Sequence, residues 1–440
     1  MNLADALNLG CACSTLDARQ LRAELETTPA LVGLVDQLAL SHPHLFASTV
    51  VFLDPRTRNE IRQAVATLDR VCALPSWQDH ALLGADAQTR QDRGPHGVFM
   101  GYDFHLSADG PRLIEINTNA GGAFLNAALA RAHRACCAAM PALMDPSGEL
   151  DRTEAVIVDM FRSEWQAQRG ERPWRNVLIV DDEPQAQYLA PEFALARDLF
   201  AAQGLHAVVA DARDLRWRDG ALWHPALPAD QPVDLVYNRL TDFALAQPEH
   251  AALRAAWAAG SVVLTPHPRV YALAADKRRL IDLSDPARLK ALGVAPADRA
   301  LLARVVPATE AVTTGNAEAL WARRRSLFFK PATGFGARAA YRGDKLTQRV
   351  WREIVAGDYV AQALVPPSER LVSVNGQPQR LKLDLRAYAY RGQVQLLAAR
   401  TWSGQTTNFR TEGGGFSPVV VLPDSLQPDG PAVPFPPASA

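Results

Sequence analysis

The stretch Asp103 to Gly122, DFHLSADGPRLIEINTNAGG, holds the residues best suited to chemistry. Glu115 and Asn117 are two apart, so on a strand they leave the same face. Asp103 lies twelve residues before Glu115, near the end of the preceding strand. Ala108-Asp109-Gly110-Pro111 carries turn residues, and Arg112 to Asn117 alternates as a strand does. A hairpin folded there brings the Asp103 carboxylate beside the other two side chains. Two carboxylates and an amide oxygen suit Mg²⁺, a hard cation that takes oxygen ligands and shares them with nucleotide phosphates. The same spacing also fits an ordinary hairpin with a solvated polar face. The neighbours shift the balance toward a site. Glu115 lies between Ile114 and Ile116, and the strand runs into Asn119-Ala120-Gly121-Gly122, where backbone can approach a ligand.

A second group of residues could meet phosphate. Only five of the 46 basic residues are lysines, Lys277, Lys290, Lys330, Lys345 and Lys382, and none precedes Lys277. Arginine is the default cation of this chain, so a surviving lysine points to a need for a compact ammonium. Lys330 ends the apolar run Leu327-Phe328-Phe329 and precedes Gly334 and Gly336, whose loop could close over phosphates. It is not a P-loop, because the lysine comes before the glycines. An ordinary hairpin with a lysine at its strand end remains the alternative. Lys382, Asp384 and Arg386 share one face of a strand, either an exposed face with cross-strand ion pairs or the wall of an anionic cleft.

These residues need elements to position them. Residues 1–95 read as mostly helical, with Ala18 to Leu40 amphipathic and Arg58 to Leu74 at helical spacing. An Ala-rich helix follows Gly121-Gly122. From about 151, helical stretches alternate with strands at 176–182, 204–215 (a strand and its exit) and 233–240, which implies a small parallel α/β layer. Arg239 falls just past the third strand, where open α/β sheets place ligand residues; a plain surface arginine is the other reading. No G-x-G-x-x-G marks a dinucleotide site. Residues 249–283 read as two helices around Val262-Val263-Leu264, the second holding Asp276-Lys277-Arg278-Arg279. Strands then flank the glycine loop, cover Asp358 to Leu364, and form a hairpin turning at Arg391-Gly392. The Pro-rich tail 423–440 reads as a poorly ordered extension.

Composition narrows the function classes. The 440-residue chain has room for two or three cores. A formal net charge of −1 gives no electrostatic case for nucleic acid or an anionic membrane as main partner. Five cysteines, an odd number, argue against a disulfide framework and for a reducing cytoplasm. No apolar run reaches the roughly 18–20 residues of a membrane helix.

Together the pieces resemble the ATP-grasp enzymes, specifically the circularly permuted branch that includes the glutathionylspermidine synthetases. That branch shows an Asp-Phe-His strand with Leu-Ile-Glu-x-Asn following; here these are Asp103-Phe104-His105 and Leu113 to Asn117. The resemblance implies that Asp103, Glu115 and Asn117 ligate Mg²⁺. It pairs Asp276-Lys277 and Lys330-Pro331 with the family's phosphate-contacting lysines. It makes Gln362, Ala363 and Leu364 the adenine hinge, where backbone groups read the base. Asp384-x-Arg386, Arg400, Asn408 and Gly413-Gly414-Gly415 are similar to the segment of unpermuted ligases that precedes the metal strand. Here that strand lies about three hundred residues earlier, as permutation requires. The family's Asn-Ala-Asp-Thr-Pro after the metal strand is replaced by Asn117-Thr118-Asn119-Ala120-Gly121-Gly122, so the glutathione–polyamine pair is not assigned.

The implied fold is α+β, a permuted ATP-grasp fold. It comprises a helical region 1–95, a metal-binding hairpin part 96–150, an α/β substrate-side domain 151–264, a nucleotide-binding core 265–422 and the tail. The implied function is an ATP-dependent carboxylate–amine ligase that uses ATP and Mg²⁺ and passes through an acyl phosphate. Its partners are a small-molecule or peptide carboxylate and an amine. Arg386 and Arg400 stabilise the transition state, and Arg239 and Asn408 contact substrate. A phosphotransferase acting on a hydroxyl would use the same metal and phosphate residues, and a non-catalytic nucleotide-binding module is the third reading. Oligomeric state is not assigned.

Overall fold

The computed structural model describes residues 2–12, 14–33, 35–136, 152–334 and 339–423. Gly336 and the tail from 424 lie outside the described residues.

Asp54 and Pro55 start the long helix Pro55–Ala73. The Asp54 carboxylate accepts the Arg56 and Thr57 N–H groups, and Pro55 has no N–H to leave unpaired at the first position. Ile61, Ala64, Val65, Leu68 and Val71 recur at helical spacing and are buried. They share one core with Leu383, Leu385, Ala387 and Ala399 from the back of the largest sheet. That burial turns the alternate residues of the same strands, Asp384, Arg386 and Arg400, to the opposite face.

The largest sheet has seven strands. Its order is Val51–Leu53, Gly415–Val421, Gln393–Trp402, Gln377–Tyr390, Met100–Ser107 and Gly110–Asn117; Ser368–Val374 pairs the first half of Gln377–Tyr390. The expected hairpin forms and joins the second half of that long strand, antiparallel, with Asp103 opposite Arg386. Val51–Leu53 pairs parallel with Gly415–Val421. A mostly helical reading of residues 1–95 omits this strand, whose signal is the apolar run Val50-Val51-Phe52-Leu53. The stretch Ala18 to Leu40 is also not one helix. It divides into Ala18–Glu26, a 3₁₀ turn Pro29–Leu31 and Val35–Ser41, because Thr28 before Pro29 is extended.

A four-stranded antiparallel sheet, ordered Thr309–Ala311, Tyr359–Ala363, Leu327–Pro331 and Tyr341–Arg342, faces the hairpin. A four-stranded parallel sheet follows the order His206–Asp211, Asn176–Asp181, Leu235–Asn238, Val263–Thr265. Helices Thr153–Arg169 and Ala190–Ala202 pack on its Val177, Ile179 and Tyr237 face. Helix Ala251–Ala258 covers Leu178, Val180 and Val236 on the other. Among the described residues no helix is long and apolar enough to cross a membrane.

One local expectation fails where it matters. Asp276, Lys277 and Arg278 are not inside a helix; they form a turn between the π-helical Tyr271–Ala275 and helix Arg279–Leu283. The Lys277 N–H leaves the helical ladder and donates to the Ala332 carbonyl at 3.1 Å. Docking against the glycine loop has overridden helical continuity.

The step from Gly110–Asn117 to helix Ala123–Cys136 is made at Gly122, which has φ +98°. A Cβ there would lie 2.3 Å from Cζ of the buried Phe416 ring. Gly122→Ala is expected to cost about 2 kcal/mol or more of stability, from both the left-handed backbone and the clash. Urea denaturation of the variant against the native protein checks this.

Candidate functional site

The site begins as a charged row across three strands. Glu115, Asp103 and Arg386 are consecutive cross-strand partners, and Asp384 pairs with Arg400 on the next strand over. Arg386 Nε and Nη2 donate to the two Asp103 oxygens, each at 2.7 Å. Arg400 Nη2 donates to Asp103 Oδ2 at 2.9 Å and its Nε to Asp384 Oδ1 at 2.8 Å. Thr407 adds a hydroxyl to Asp384 at 2.8 Å. Asp103 is 2% exposed and Asp384 fully buried. Burial alone pushes the Asp103 carboxyl up, but Arg386 and Arg400 overcome it and hold the group well below the usual carboxylate range. Burial likewise works against the Arg386 charge, and Asp103 more than restores it. The Lys382–Asp384–Arg386 stripe therefore lines a cleft and is not an exposed face.

A bulge in the hairpin prepares the next contact. The register shifts between Asp103 and Phe104, so Ile114 has no opposite partner. Its carbonyl accepts the Lys330 ammonium at 2.5 Å, and Lys330 also donates to Gln362 Oε1 at 2.9 Å. Burial pushes the Lys330 ammonium down to about 8, with Lys277 adding repulsion and Glu115 and Asp103 opposing it. Lys277 sits 3.0 Å from Glu115 and donates to the Gly334 carbonyl at 2.9 Å. Both sequence-selected lysines thus meet the selected hairpin, although they lie far apart in the chain.

Lys330 stands at the inner end of a largely apolar slot of about 160 Å³ between the antiparallel sheet and the large sheet. Ile114, Phe328, Ala363, Leu364 and Trp402 line it. The Gln362 side chain is turned inward, onto Lys330 and Thr309. The N–H groups of Ala363 and Leu364 are already donated to the Ala308 and Ser326 carbonyls, so these two residues offer the slot no backbone donor. His105 Nδ1 bonds the Val365 carbonyl at 2.7 Å, which fixes the hairpin to the end of this stretch.

A larger chamber of about 720 Å³, with several charged side chains in its lining, adjoins the slot. Glu115, Lys277 and Gly334 line both, so they form the passage between them. Arg386, Arg400, Asn117 and Arg239 line the chamber. Arg239 follows strand Leu235–Asn238 and is 7% exposed; its Nη1 donates to the Tyr237 hydroxyl at 3.2 Å. Asn408 lies at the chamber wall, but its amide builds the surrounding loop. It donates to the Ser403 and Thr406 carbonyls and accepts from the Arg410 N–H and Thr411 hydroxyl.

Two residues here escaped the sequence reading. Asp181 ends strand Asn176–Asp181 and faces the chamber; the acid pair closing the apolar run Val177 to Val180 was its signal. Glu192 is fully buried, and its carboxylate accepts the Gly122 N–H at 2.7 Å and the Phe124 N–H at 3.2 Å. It fixes the glycine turn and the N-terminus of the following helix. No spacing rule links Glu192 to the hairpin.

Mg²⁺ needs oxygen donors, and a nucleotide-shared ion needs only one or two carboxylates. Glu115 offers a partly exposed carboxylate at the passage, and the Asn117 amide stands beside it, donating to Asp103 at 3.3 Å. These two fit the ion. Asp103 is placed differently, since both its oxygens already accept guanidinium N–H groups. Among the described residues no group of three or more His, Cys, Asp or Glu stands ready to hold a metal by itself.

This arrangement separates two carboxylates by their energetic role. Asp103→Asn leaves two largely buried guanidiniums short of a counter-charge and is expected to cost about 3–5 kcal/mol of stability. Glu115→Gln is expected to cost about 1 kcal/mol, because its site is part-exposed and the amide oxygen still accepts from Lys277. Paired urea melts measure both, and equal losses would contradict the assignment.

No family model matches this sequence, and no curated protein matches it. Solved structures do. A glutathione synthetase-like effector from Globodera pallida is similar over 94% of this chain and 100% of its own, at 11% identity and a TM-score of 0.55. A protein assigned as a γ-glutamylcysteine synthetase from Methylobacillus flagellatus is similar over 81% and 84% of the two chains, at 10% identity and a TM-score of 0.44. D-alanyl-alanine synthetase A from Vibrio cholerae is similar over 50% and 69%, at 11% identity and a TM-score of 0.28. The last two likenesses are partial, with TM-scores below 0.5. The first is a likeness of fold: this chain has the mixed α and β fold of the glutathione synthetase-like effector.

Proposed function

We propose that this chain is an ATP-dependent carboxylate–amine ligase of the circularly permuted ATP-grasp kind, forming an amide or peptide bond through an acyl phosphate. The observation that carries this reading is the passage at Glu115, Lys277 and Gly334, where an apolar slot meets an arginine-lined chamber. The adenine would occupy the slot beside Ala363 and Leu364, and its phosphates would reach Lys330, Lys277 and the Gly334 loop. The pairing of the 100–117 hairpin with a strand some 280 residues later supports the permuted order.

Glu115 and Asn117 would hold Mg²⁺, with Asp103 anchoring the arginines behind them; the ion would neutralise phosphate charge and polarise the γ-phosphoryl group. A substrate carboxylate in the chamber attacks the γ-phosphorus in line and ADP leaves. An amine then attacks the acyl carbon, phosphate leaves, and the amine proton passes to solvent. Among the described residues, the bonds that tether Arg386 and Arg400 use Nε and Nη2, so their Nη1 groups would be available to the developing charge without reorganising. The apolar slot and the buried lysine would help keep water from the phosphates. A reducing cytoplasm suits the odd number of cysteines.

Purified protein with Mg-ATP and pooled carboxylates and amines should release ADP and phosphate, and hydroxylamine should trap the acyl group as a hydroxamate. AMP and pyrophosphate would exclude the acyl phosphate. A phosphorylated product would make the protein a phosphotransferase, and binding without turnover would make it a nucleotide-binding module.

Lys330 supplies a pH signature. Its folded value lies below the ordinary lysine value, so in the nucleotide-free protein the ammonium is lost as pH rises through about 8. ATP affinity, measured by equilibrium titration, should weaken across that range in the native protein. In Lys330→Met it should be weaker throughout and flat.

A further inference from the structure

We propose that Asp181 and Arg239 together bind the zwitterionic α-amino-acid group of a substrate, its carboxylate at Arg239 and its ammonium at Asp181. This rests on the ligase reading and names the substrate class of its chamber.

Arg239 is the more constrained of the two. It is 7% exposed, yet its buried Nε has no hydrogen-bond partner. Glu192, its nearest carboxylate at 3.9 Å, is already occupied by the Gly122 and Phe124 N–H groups. The guanidinium is held mainly by the Tyr237 hydroxyl and by the Tyr237 and Phe193 rings, 5.4 and 5.9 Å away. A buried donor left unmade is costly, so the protein alone does not satisfy this guanidinium. The backbone comes close enough to shape the spot: a Cβ on Gly121 would lie 2.7 Å from Arg239 Nη2.

Asp181 is equally buried, at 7% exposed, and among the described residues its carboxylate accepts only the Asp182 N–H. Burial pushes its carboxyl up to about 7, with Arg239 pulling the other way. The two charges are near enough to influence each other but do not form an ion pair within 4.0 Å. A buried carboxyl and a buried guanidinium that face one chamber without pairing suit a ligand carrying both opposite charges.

Topology puts them together. Val180 and Asn238 are register partners on adjacent parallel strands, so Asp181 and Arg239 are the next residues out, at the carboxyl edge. That edge is where open α/β sheets hold ligands. Neither residue lines the slot, whereas Glu115 and Lys277 do. The amino-acid head therefore sits at the parallel sheet, and the reacting group extends toward Arg386 and Arg400. A polyamine would be repelled by Arg239, and a phosphate or simple dicarboxylate by Asp181.

The test uses thermal melts of the full chain with three probes at equal concentration. These are a pool of the twenty L-amino acids, the same pool N-acetylated, and the same pool as α-amides. The free pool should raise the native melting temperature by about 2 °C or more, and neither capped pool should. Asp181→Asn should lose discrimination against the N-acetyl pool, and Arg239→Met against the α-amide pool. The Asp181 variant also shows whether folding is intact. The folded carboxyl titrates above its unfolded value, so its proton is bound more tightly when folded. Its contribution is most favourable below about pH 4 and declines as pH rises to about 7. The Asn variant should melt no lower than native protein above that range.

Equal stabilisation by the N-acetyl pool, no stabilisation by any pool, or native discrimination in Asp181→Asn would each overturn the proposal. Mg-ATP melts run alongside keep the two readings separate. A Mg-ATP shift without an amino-acid shift removes this inference and leaves the ligase. An amino-acid shift without a Mg-ATP shift supports the binding site and removes the ligase.

Discussion

The Asp103 carboxylate, clasped by Arg386 and Arg400, is the contact on which the site depends. It joins its own hairpin to two successive strands some 280 residues further along the chain and holds two largely buried guanidiniums that would otherwise repel each other. Taking these charges out of water is costly, and only near-ideal geometry offsets it. The bidentate fork of Arg386 supplies that geometry, and Asp384 with Thr407 supplies the second support for Arg400. A lysine in either position would not reproduce the fork.

Everything around that contact serves to keep it rigid and partly unsatisfied. Helix Pro55–Ala73 seals the back of the sheet, so the charged face has one direction to look. The hairpin bulge frees the Ile114 carbonyl for Lys330. Lys277 reaches Glu115 only because the chain breaks helix at Asp276 to Arg278. Lys277, Lys330, Arg386 and Arg400 face Asp103, Glu115 and Asp384, so positive charge is in excess where the slot opens into the chamber. That balance favours an anion at the passage, and the charges are already in place before one arrives.

The parallel sheet contributes differently. Its strand ends deliver Asp181 and Arg239 to the far wall of the chamber, and Glu192 from helix Ala190–Ala202 holds the glycine turn between that wall and the hairpin. Tyr388 of the large sheet adds a hydroxyl bond to the Gly121 carbonyl at 2.8 Å. The turn Asn117 to Gly122 is thus held from the large sheet and from a helix of the parallel layer, and Phe416 fills the space a Cβ at Gly122 would need.

Local rules alone determined much of this protein. The spacing of Asp103, Glu115 and Asn117, the turn at Asp109-Gly110 and the alternation after it define a hairpin with three polar groups on one face, because strand geometry has a period of two. The scarcity of lysine singled out Lys277 and Lys330, and the strand texture from 151 onward foretold a parallel layer. Tertiary structure decided what those groups do. That Asp103 is clasped by arginines depends on register with a strand far along the chain. The turn at Lys277, the division of Ala18 to Leu40 and the strand Val51–Leu53 each follow from a partner or a proline that overrides helical periodicity. Asn408 became a loop-builder, and Glu192 and Asp181 entered the site, for the same reason. Side-chain spacing encodes which face a residue leaves, but only packing against a distant element fixes what stands opposite.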